Sequence, residues 1–181
     1  MHKTIATALL LMALPFVAFA TDNAELRALK QADQTDRSDP MLSDKWPDVL
    51  QRDAQRRKRV LEILQAGGLT TAWDYYNAAL VMQHGRSSDD IRLAHSLSTI
   101  AATLDPKHPS AKWLMAASWD RLMLRFKQPQ WYGTQSIQDD SGKFVLYTVH
   151  PDAVTDADRV ALGVPTLAQA QAEADRANTD K

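Results

Sequence analysis

The sequence predicts a mainly α-helical, single-domain helical bundle with a short C-terminal β-hairpin. Between positions 47 and 126, apolar residues recur at helical spacing in segments bounded by capping residues, proline or glycine. After position 129 the pattern changes, because residues 144–149 are rich in β-branched and aromatic side chains and follow a turn signal at 139–142. The chain has 181 residues, of which 45% are hydrophobic and 24% charged, and these values suit one globular domain.

Residues 1–20 are typical of a secretory signal peptide. Lys3 supplies a positive charge, an apolar run from Ile5 to Phe19 follows, and Ala18 and Ala20 form an A-x-A cleavage site. The run is short for a bilayer span, which needs about 20 residues. We therefore expect cleavage rather than a membrane anchor. The expected product is an exported protein, periplasmic or secreted, without stable membrane insertion.

Helix start and stop signals divide the remaining chain. Residues 21–44 are predicted to form a polar N-terminal helix and linker, residues 45–170 a helical domain with the hairpin at about 132–149, and residues 171–181 a polar C-terminal tail that frays from about Ala174. The turn at 105–109 resembles those of tetratricopeptide arrays, but no second copy recurs at a fixed period, so a bundle is favoured over a helical repeat. The predicted helix-capping residues are Asn23, Thr70 or Thr71, Ser87, Ser110 and Thr166.

Composition and missing motifs exclude several classes of function. No cysteine is present, which excludes disulfides, thiolate nucleophiles and cysteine-bound metals. The net charge of −1 argues against a nucleic-acid partner, and the basic run at 56–59 is interpreted as mostly a solvated helix face. The sequence contains no H-E-x-x-H pattern, nucleophile elbow, phosphate loop or dinucleotide fingerprint. We therefore predict no metal and no cofactor.

The segment 128–135, Gln-Pro-Gln-Trp-Tyr-Gly-Thr-Gln, lies where the helical region ends and the hairpin begins. It holds two aromatic side chains, three amides and a hydroxyl, and no aliphatic side chain. A connector needs only turn residues. This density of hydrogen-bonding groups therefore indicates a site or a structural junction.

Charged residues elsewhere can converge on this segment. His84 follows Gln83 at the end of the third predicted helix, where the helix dipole favours its charged form, and it is also a candidate general base. Asp120 and Arg121 interrupt an apolar helix and point about 100° apart, so each needs solvent or its own partner. The histidines at 108 and 150 adjoin turn prolines and are expected to be exposed. Candidate partners of the pair are Gln83, His84, Gln130, Gln135, Asp33, Arg37, Asp53 and Arg57.

Several short motifs occur in an order that resembles a known family. They are Asp33-Gln34-x-x-Arg37, Asn77-x-Ala79-x-x-Met82-Gln83-His84, Asp120-Arg121 and Lys127-Gln-Pro-Gln-x-Tyr-Gly-Thr-Gln135. The sequence resembles an uncharacterised bacterial domain family of unknown function, often exported, marked by a Gln-His pair, an Asp-Arg pair and the Gln-x-Tyr-Gly-Thr-Gln stretch. Gly85 departs from the family pattern, in which Asp often follows the Gln-His pair. The resemblance implies a site but no reaction, and the implied site residues are Gln83, His84, Asp120, Arg121, Gln130, Tyr132, Gly133, Thr134 and Gln135.

Three interpretations of this site stay open. The first is an exported envelope binding or interaction module, with a polar cleft for a small molecule, peptide or glycan. The second is a hydrolase- or lyase-like enzyme, in which His84 is the general base, Asp120 orients it, and Tyr132 or Arg121 stabilises negative charge. The third is a purely structural network that ties the hairpin to the helices. The predicted ligand-binding residues are Gln83, Arg121, Gln130, Thr134 and Gln135, and the catalytic residues, if the protein is an enzyme, are His84, Asp120 and Tyr132.

Overall fold

The computed structural model describes residues 20–38 and 45–179. Within them the protein is mainly helical with one small antiparallel hairpin, which confirms the predicted fold class. The predicted signal peptide, up to position 19, and most of the predicted linker lie outside the described residues. The helices are α1 (Ala24–Arg37), α2 (Trp46–Gln65), α3 (Ala72–Gln83), α4 (Ser88–Leu104), α5 (Ala111–Arg125), α6 (Asp156–Ala161) and α7 (Leu167–Arg176), and the strands are β1 (Ser136–Gln138) and β2 (Phe144–Leu146).

Helix α3 forms the centre of the bundle. Every residue from 77 to 83 is buried, and α1, α2, α4 and α5 all pack against this helix. Its apolar side chains join those of the surrounding helices in one core that includes Leu26, Val60, Leu97 and Leu114. A helix that is apolar on all sides is expected at such a position. The end of α3, which carries His84, is therefore fixed by packing.

Most helices begin at the predicted capping residues. Asn23 accepts hydrogen bonds from the backbone at the start of α1, and Ser87 forms a reciprocal capping box with Asp90 at the start of α4. Helix α5 differs, because the Ser110 side chain makes no capping bond. The His108 ring caps this helix instead: its Nδ1 accepts from the amides of Ser110 and Ala111, at 3.2 and 3.1 Å. His108 is therefore buried, at 4% exposure, and the expectation that it would be exposed is wrong.

Ion pairs join α1 to α2. Arg37 donates to Asp33 on its own helix at 2.8 Å and to Asp53 on α2 at 2.7 Å. Arg56 bonds Asp53 and Asp36 at 2.7 and 2.6 Å. Hydrogen bonds from Arg52, and then from Arg56, lower the pKa of Asp36 to about 2. Arg56 is buried and is the exception to the interpretation of the 56–59 run as mostly a solvated face; Lys58 and Arg59 are exposed.

The C-terminal part packs on the hairpin. Strand β1 pairs with β2 so that Ile137 lies opposite Val145. The strands are shorter than the predicted 132–149 hairpin, because the amides of Trp131, Tyr132 and Thr134 bond the Asp120 carboxylate instead of a neighbouring strand. Gln130 and Gln135, on either side of them, still form backbone hydrogen bonds with residues 147–150. Helix α7 continues past position 171, contacts β2 and buries Ala174, and Asn178 exchanges hydrogen bonds with the backbone of Phe144. The predicted fraying from Ala174 is therefore wrong as far as Asn178.

Candidate functional site

Asp120 holds the backbone of the polar segment 128–135. Its carboxylate, on α5, is fully buried and accepts from the amides of Trp131 at 2.8 Å, Tyr132 at 3.0 Å and Thr134 at 3.0 Å. The Thr134 hydroxyl adds a fourth donor at 2.9 Å. A carboxylate surrounded in this way by donors is strongly solvated by the protein itself. Asp120 therefore organises the turn, and this position makes it unsuited to orient His84.

Arg159 holds the same segment from the opposite side. This buried residue of α6 donates to the carbonyl oxygens of Trp131 at 2.9 Å and Tyr132 at 3.0 Å, and to Asp156 at 3.1 Å. Trp131 and Tyr132 are thus held on both sides: their backbone amides bond Asp120, and their backbone carbonyls bond Arg159. We call Asp120 and Arg159 together the backbone clamp.

Gln130 and Gln135 complete this structural network. The Gln130 side chain is 0% exposed; its amide nitrogen donates to the carbonyls of Gln135 and Tyr147 at 2.9 and 2.8 Å, and its oxygen accepts from the Gln135 amide at 2.9 Å. A residue without exposed surface cannot touch a ligand. The geometry therefore gives Gln130 a structural role in place of the predicted ligand-binding one. Thr134 also has a structural role, since its hydroxyl bonds Asp120 and Gln135.

Tyr132 presents a half-buried phenol beside the clamp. Burial first, and then the negative charges of Asp120 and Asp158, raise its pKa above the ordinary value of 10.0. The phenol therefore stays protonated at neutral pH. The neighbouring Trp131 packs on Trp119, with ring centroids 4.8 Å apart.

His84 pairs with Asp33 and not with Asp120. Its Nδ1 lies 3.0 Å from the carboxylate of Asp33, a buried residue of α1. The carboxylate accepts a hydrogen bond from Nδ1, which leaves Nε2 as the available base. Burial lowers the pKa of His84 below 6.5 and outweighs the opposing effect of Asp33. The expected partnership with Asp120 is therefore wrong, and the ring is neutral rather than held charged by the helix dipole.

His84 opens into a cleft of about 460 Å³ formed by α1, α2, the α3–α4 connection and α5. Its walls combine three guanidinium groups with a half-exposed tryptophan. We call this cavity the His84 cleft. Its lining residues are Arg37, Trp46, Leu50, Asp53, His84, Arg86 and Arg121.

Arg121 is the unusual member of the His84 cleft. It donates to the backbone oxygen of Gln83 at 3.0 Å and to the side-chain oxygen of Gln135 at 3.3 Å. None of the ion pairs among residues 20–38 and 45–179 includes it. Burial, and then the charges of Arg37 and Arg125, lower its pKa from the ordinary 12.5. Arg121 is therefore a partly desolvated cation that has no counter-ion among the described residues, whereas Arg37 has two.

A second cleft adjoins the first, because Arg121 lines both. It has a volume of about 520 Å³ and brings Arg125 and Lys127, from the end of α5, next to Gln135 at the start of the hairpin. We call it the Lys127 cleft. Its lining residues are Gly85, Ile91, Arg121, Leu124, Arg125, Lys127, Gln135 and Ser136.

The structure brings together only part of the predicted site. His84 and Arg121 line the His84 cleft, and Gln135 lines the Lys127 cleft, whereas Tyr132 lines neither. The Gln83 side chain is buried, and its Oε1 has no hydrogen-bond partner among the residues that the structure describes. Sequence reasoning missed Trp46 and Arg86 as wall residues. The position of Arg86, two residues after His84, was the one signal that could have found it.

Comparisons with protein-family models, with curated proteins and with solved structures find no match to this protein. The family resemblance carried by the Gln-x-Tyr-Gly-Thr-Gln stretch thus stays a prediction. Over the described ranges, no group of His, Asp and Glu side chains is arranged to hold a metal ion. No helix within those ranges combines the length and apolar character needed to cross a bilayer.

Proposed function

We propose that this protein is an exported binding module whose His84 cleft holds an anionic organic molecule. The observation that carries the proposal is Arg121, a half-buried guanidinium without a carboxylate partner among the described residues. Removing a cation from water is costly unless an anion compensates it. A bound carboxylate or phosphate group would supply that compensation and could accept two parallel hydrogen bonds from one guanidinium.

The other walls of the His84 cleft define the rest of the ligand. Trp46, 43% exposed, and Leu50 supply apolar surface, and Arg86 adds a second cation without an ion pair among the described residues. Arg37 contributes little new charge, because Asp33 and Asp53 already neutralise it. A ligand with an anionic head and an apolar or aromatic body matches this arrangement.

Isothermal titration with benzoate and benzamide tests the proposal. The two molecules have nearly the same shape and differ in charge, so we expect benzoate to bind and benzamide to bind at least about tenfold more weakly, as loss of a charge-assisted hydrogen bond implies. The Arg121→Met variant should lose the preference for benzoate. Its stability without ligand should change little, because relief of desolvation offsets the two lost hydrogen bonds.

The matched control is Arg27→Gln, which removes one positive charge from an exposed position on α1. Benzoate should bind this variant as it binds the parent protein. Equal binding of benzoate and benzamide would contradict the proposal. An Arg27→Gln variant that loses as much benzoate affinity as Arg121→Met would also contradict it, because benzoate would then be responding to the protein's net charge and not to a specific site.

The hydrogen bond between Asp33 and His84 favours a second candidate, a hydrolase- or lyase-like enzyme. A carboxylate bonded to Nδ1 orients the ring and makes Nε2 a general base, and the cationic cleft could stabilise a developing oxyanion. In this version Asp33 takes the role predicted for Asp120. Hydrolysis of a panel of p-nitrophenyl esters that vanishes in His84→Gln would support it. Activity that survives in that variant would exclude His84 as the base.

A further inference from the structure

We propose that the ligand of the His84 cleft is a dianion, whose second negative group is held by Arg125 and Lys127 in the adjoining Lys127 cleft. This inference rests on the proposed function, since Arg121 must first bind an anion. It adds a second subsite and narrows the ligand to molecules with two separated carboxylate or phosphate groups.

The first observation is the arrangement of unpaired cations around Arg121. Arg86 lies on the side of the His84 cleft, while Arg125 and Lys127 lie on the other side. None of the four cations Arg86, Arg121, Arg125 and Lys127 forms an ion pair with a carboxylate of the described residues. Most of the other described arginines do form such a pair. In a protein with net charge −1, this concentration of unpaired positive charge marks an anion-binding surface.

The second observation is the backbone of Lys127. Its φ is +56°, a left-handed conformation, and it is the only non-glycine residue with positive φ in the described ranges. The position closes α5: the Lys127 amide donates to Leu124, and the Gln128 amide donates to Met123 at 2.9 Å. Helix ends of this kind favour glycine, because a side chain strains the backbone there. A lysine at this strained position, at the edge of a cationic cleft, indicates that its charge serves a purpose other than ending the helix.

The lining of the Lys127 cleft suits an anionic group as well. The exposed Ser136 stands beside the two cations, and the side-chain oxygen of Gln135 accepts a hydrogen bond from Arg121. One ligand can therefore contact Arg121 with one anionic group and extend past it to Lys127 with the other. A series of dicarboxylates of increasing length can measure the distance between the two anionic groups that the clefts accept.

The experiment titrates the mature protein with α,ω-dicarboxylates from malonate to suberate and with monocarboxylates of matching length. A pyrophosphate arm distinguishes phosphate from carboxylate recognition. We expect one dicarboxylate length to bind best and to exceed its monocarboxylate by about threefold or more, the value for partly exposed charge pairs. Dicarboxylates that bind no better than monocarboxylates at any length would overturn the dianion proposal and leave the single-anion site in place.

Lys127→Gly gives the decisive variant. Glycine suits positive φ, so the variant should be more stable to heat than the parent protein while losing the advantage of the best dicarboxylate. Monocarboxylate affinity should stay within about twofold, since Arg121 is intact. The control Lys58→Gln removes an exposed charge on α2 and should leave both affinities unchanged. Unchanged dicarboxylate affinity in Lys127→Gly would overturn the proposal, and absence of binding by both classes of acid would overturn the anion site itself.

Discussion

Substitution of Asp120 by alanine is expected to be among the most destabilising single changes in this protein. The carboxylate is fully buried and accepts from three backbone amides and one hydroxyl. Each unsatisfied buried group costs about 1–3 kcal/mol. The amides can regain some water as the turn relaxes, so we expect a loss of about 4 kcal/mol in the free energy of unfolding, in the tail of the distribution for point variants.

Chemical denaturation followed by circular dichroism measures this loss. The more conservative Asp120→Asn keeps the shape but puts an NH₂ group where a carboxylate oxygen accepted hydrogen bonds, so it should lose about half as much. Asp89→Ala removes an exposed carboxylate with one surface ion pair and serves as the unchanged control. A loss below about 1 kcal/mol for Asp120→Ala would refute the structural role of the backbone clamp.

Two further changes test the turn and the cap of α5. Gly133→Ala should cost about 1–2 kcal/mol, because Gly133 has φ +82° and an added Cβ would lie 2.9 Å from Leu167; thermal denaturation against the parent checks this. Stability should also fall as the pH drops below about 6.5. Burial lowers the pKa of His108 and His84 in the folded protein below their value of about 6.5 in the unfolded chain. As the pH falls, the unfolded chain therefore binds protons before the folded protein does, and the free energy of unfolding decreases. His108→Phe should reduce this pH dependence, and an unchanged profile would exclude His108 from it.

Local sequence rules predict the helices well and their tertiary roles poorly. The Ser87 and Thr166 caps are right because a capping box depends on residues three apart. The capping prediction for Ser110 is wrong because His108, which precedes α5, accepts hydrogen bonds from the first amides of that helix. The His108 ring is positioned by stacking on Trp73 and Tyr76, which is a tertiary contact. No local pattern carries that information.

In the candidate site, too, some contacts follow from local reasoning and others depend on the fold. That Arg121 has polar partners on other elements follows from a simple argument, that a charge inside an apolar helix needs partners. Gln83 and Gln135 are two of the candidate partners, and only the fold selects them. The partner of His84 could not be predicted, because it depends on how α1 packs against α3. Asp33 and Asp120 are both buried carboxylates, and only the fold decides which of them reaches the ring.

The backbone clamp has a consequence for which positions tolerate exchange. Asp120 and Arg159 bind the amide and the carbonyl of Tyr132, and none of their hydrogen bonds involves its phenol. The backbone at this position is thus fixed by atoms that every amino acid except proline possesses. Exchange of the Tyr132 side chain therefore leaves the hydrogen bonds that hold this loop in place, so position 132 is a natural place for diversification or for attaching a label.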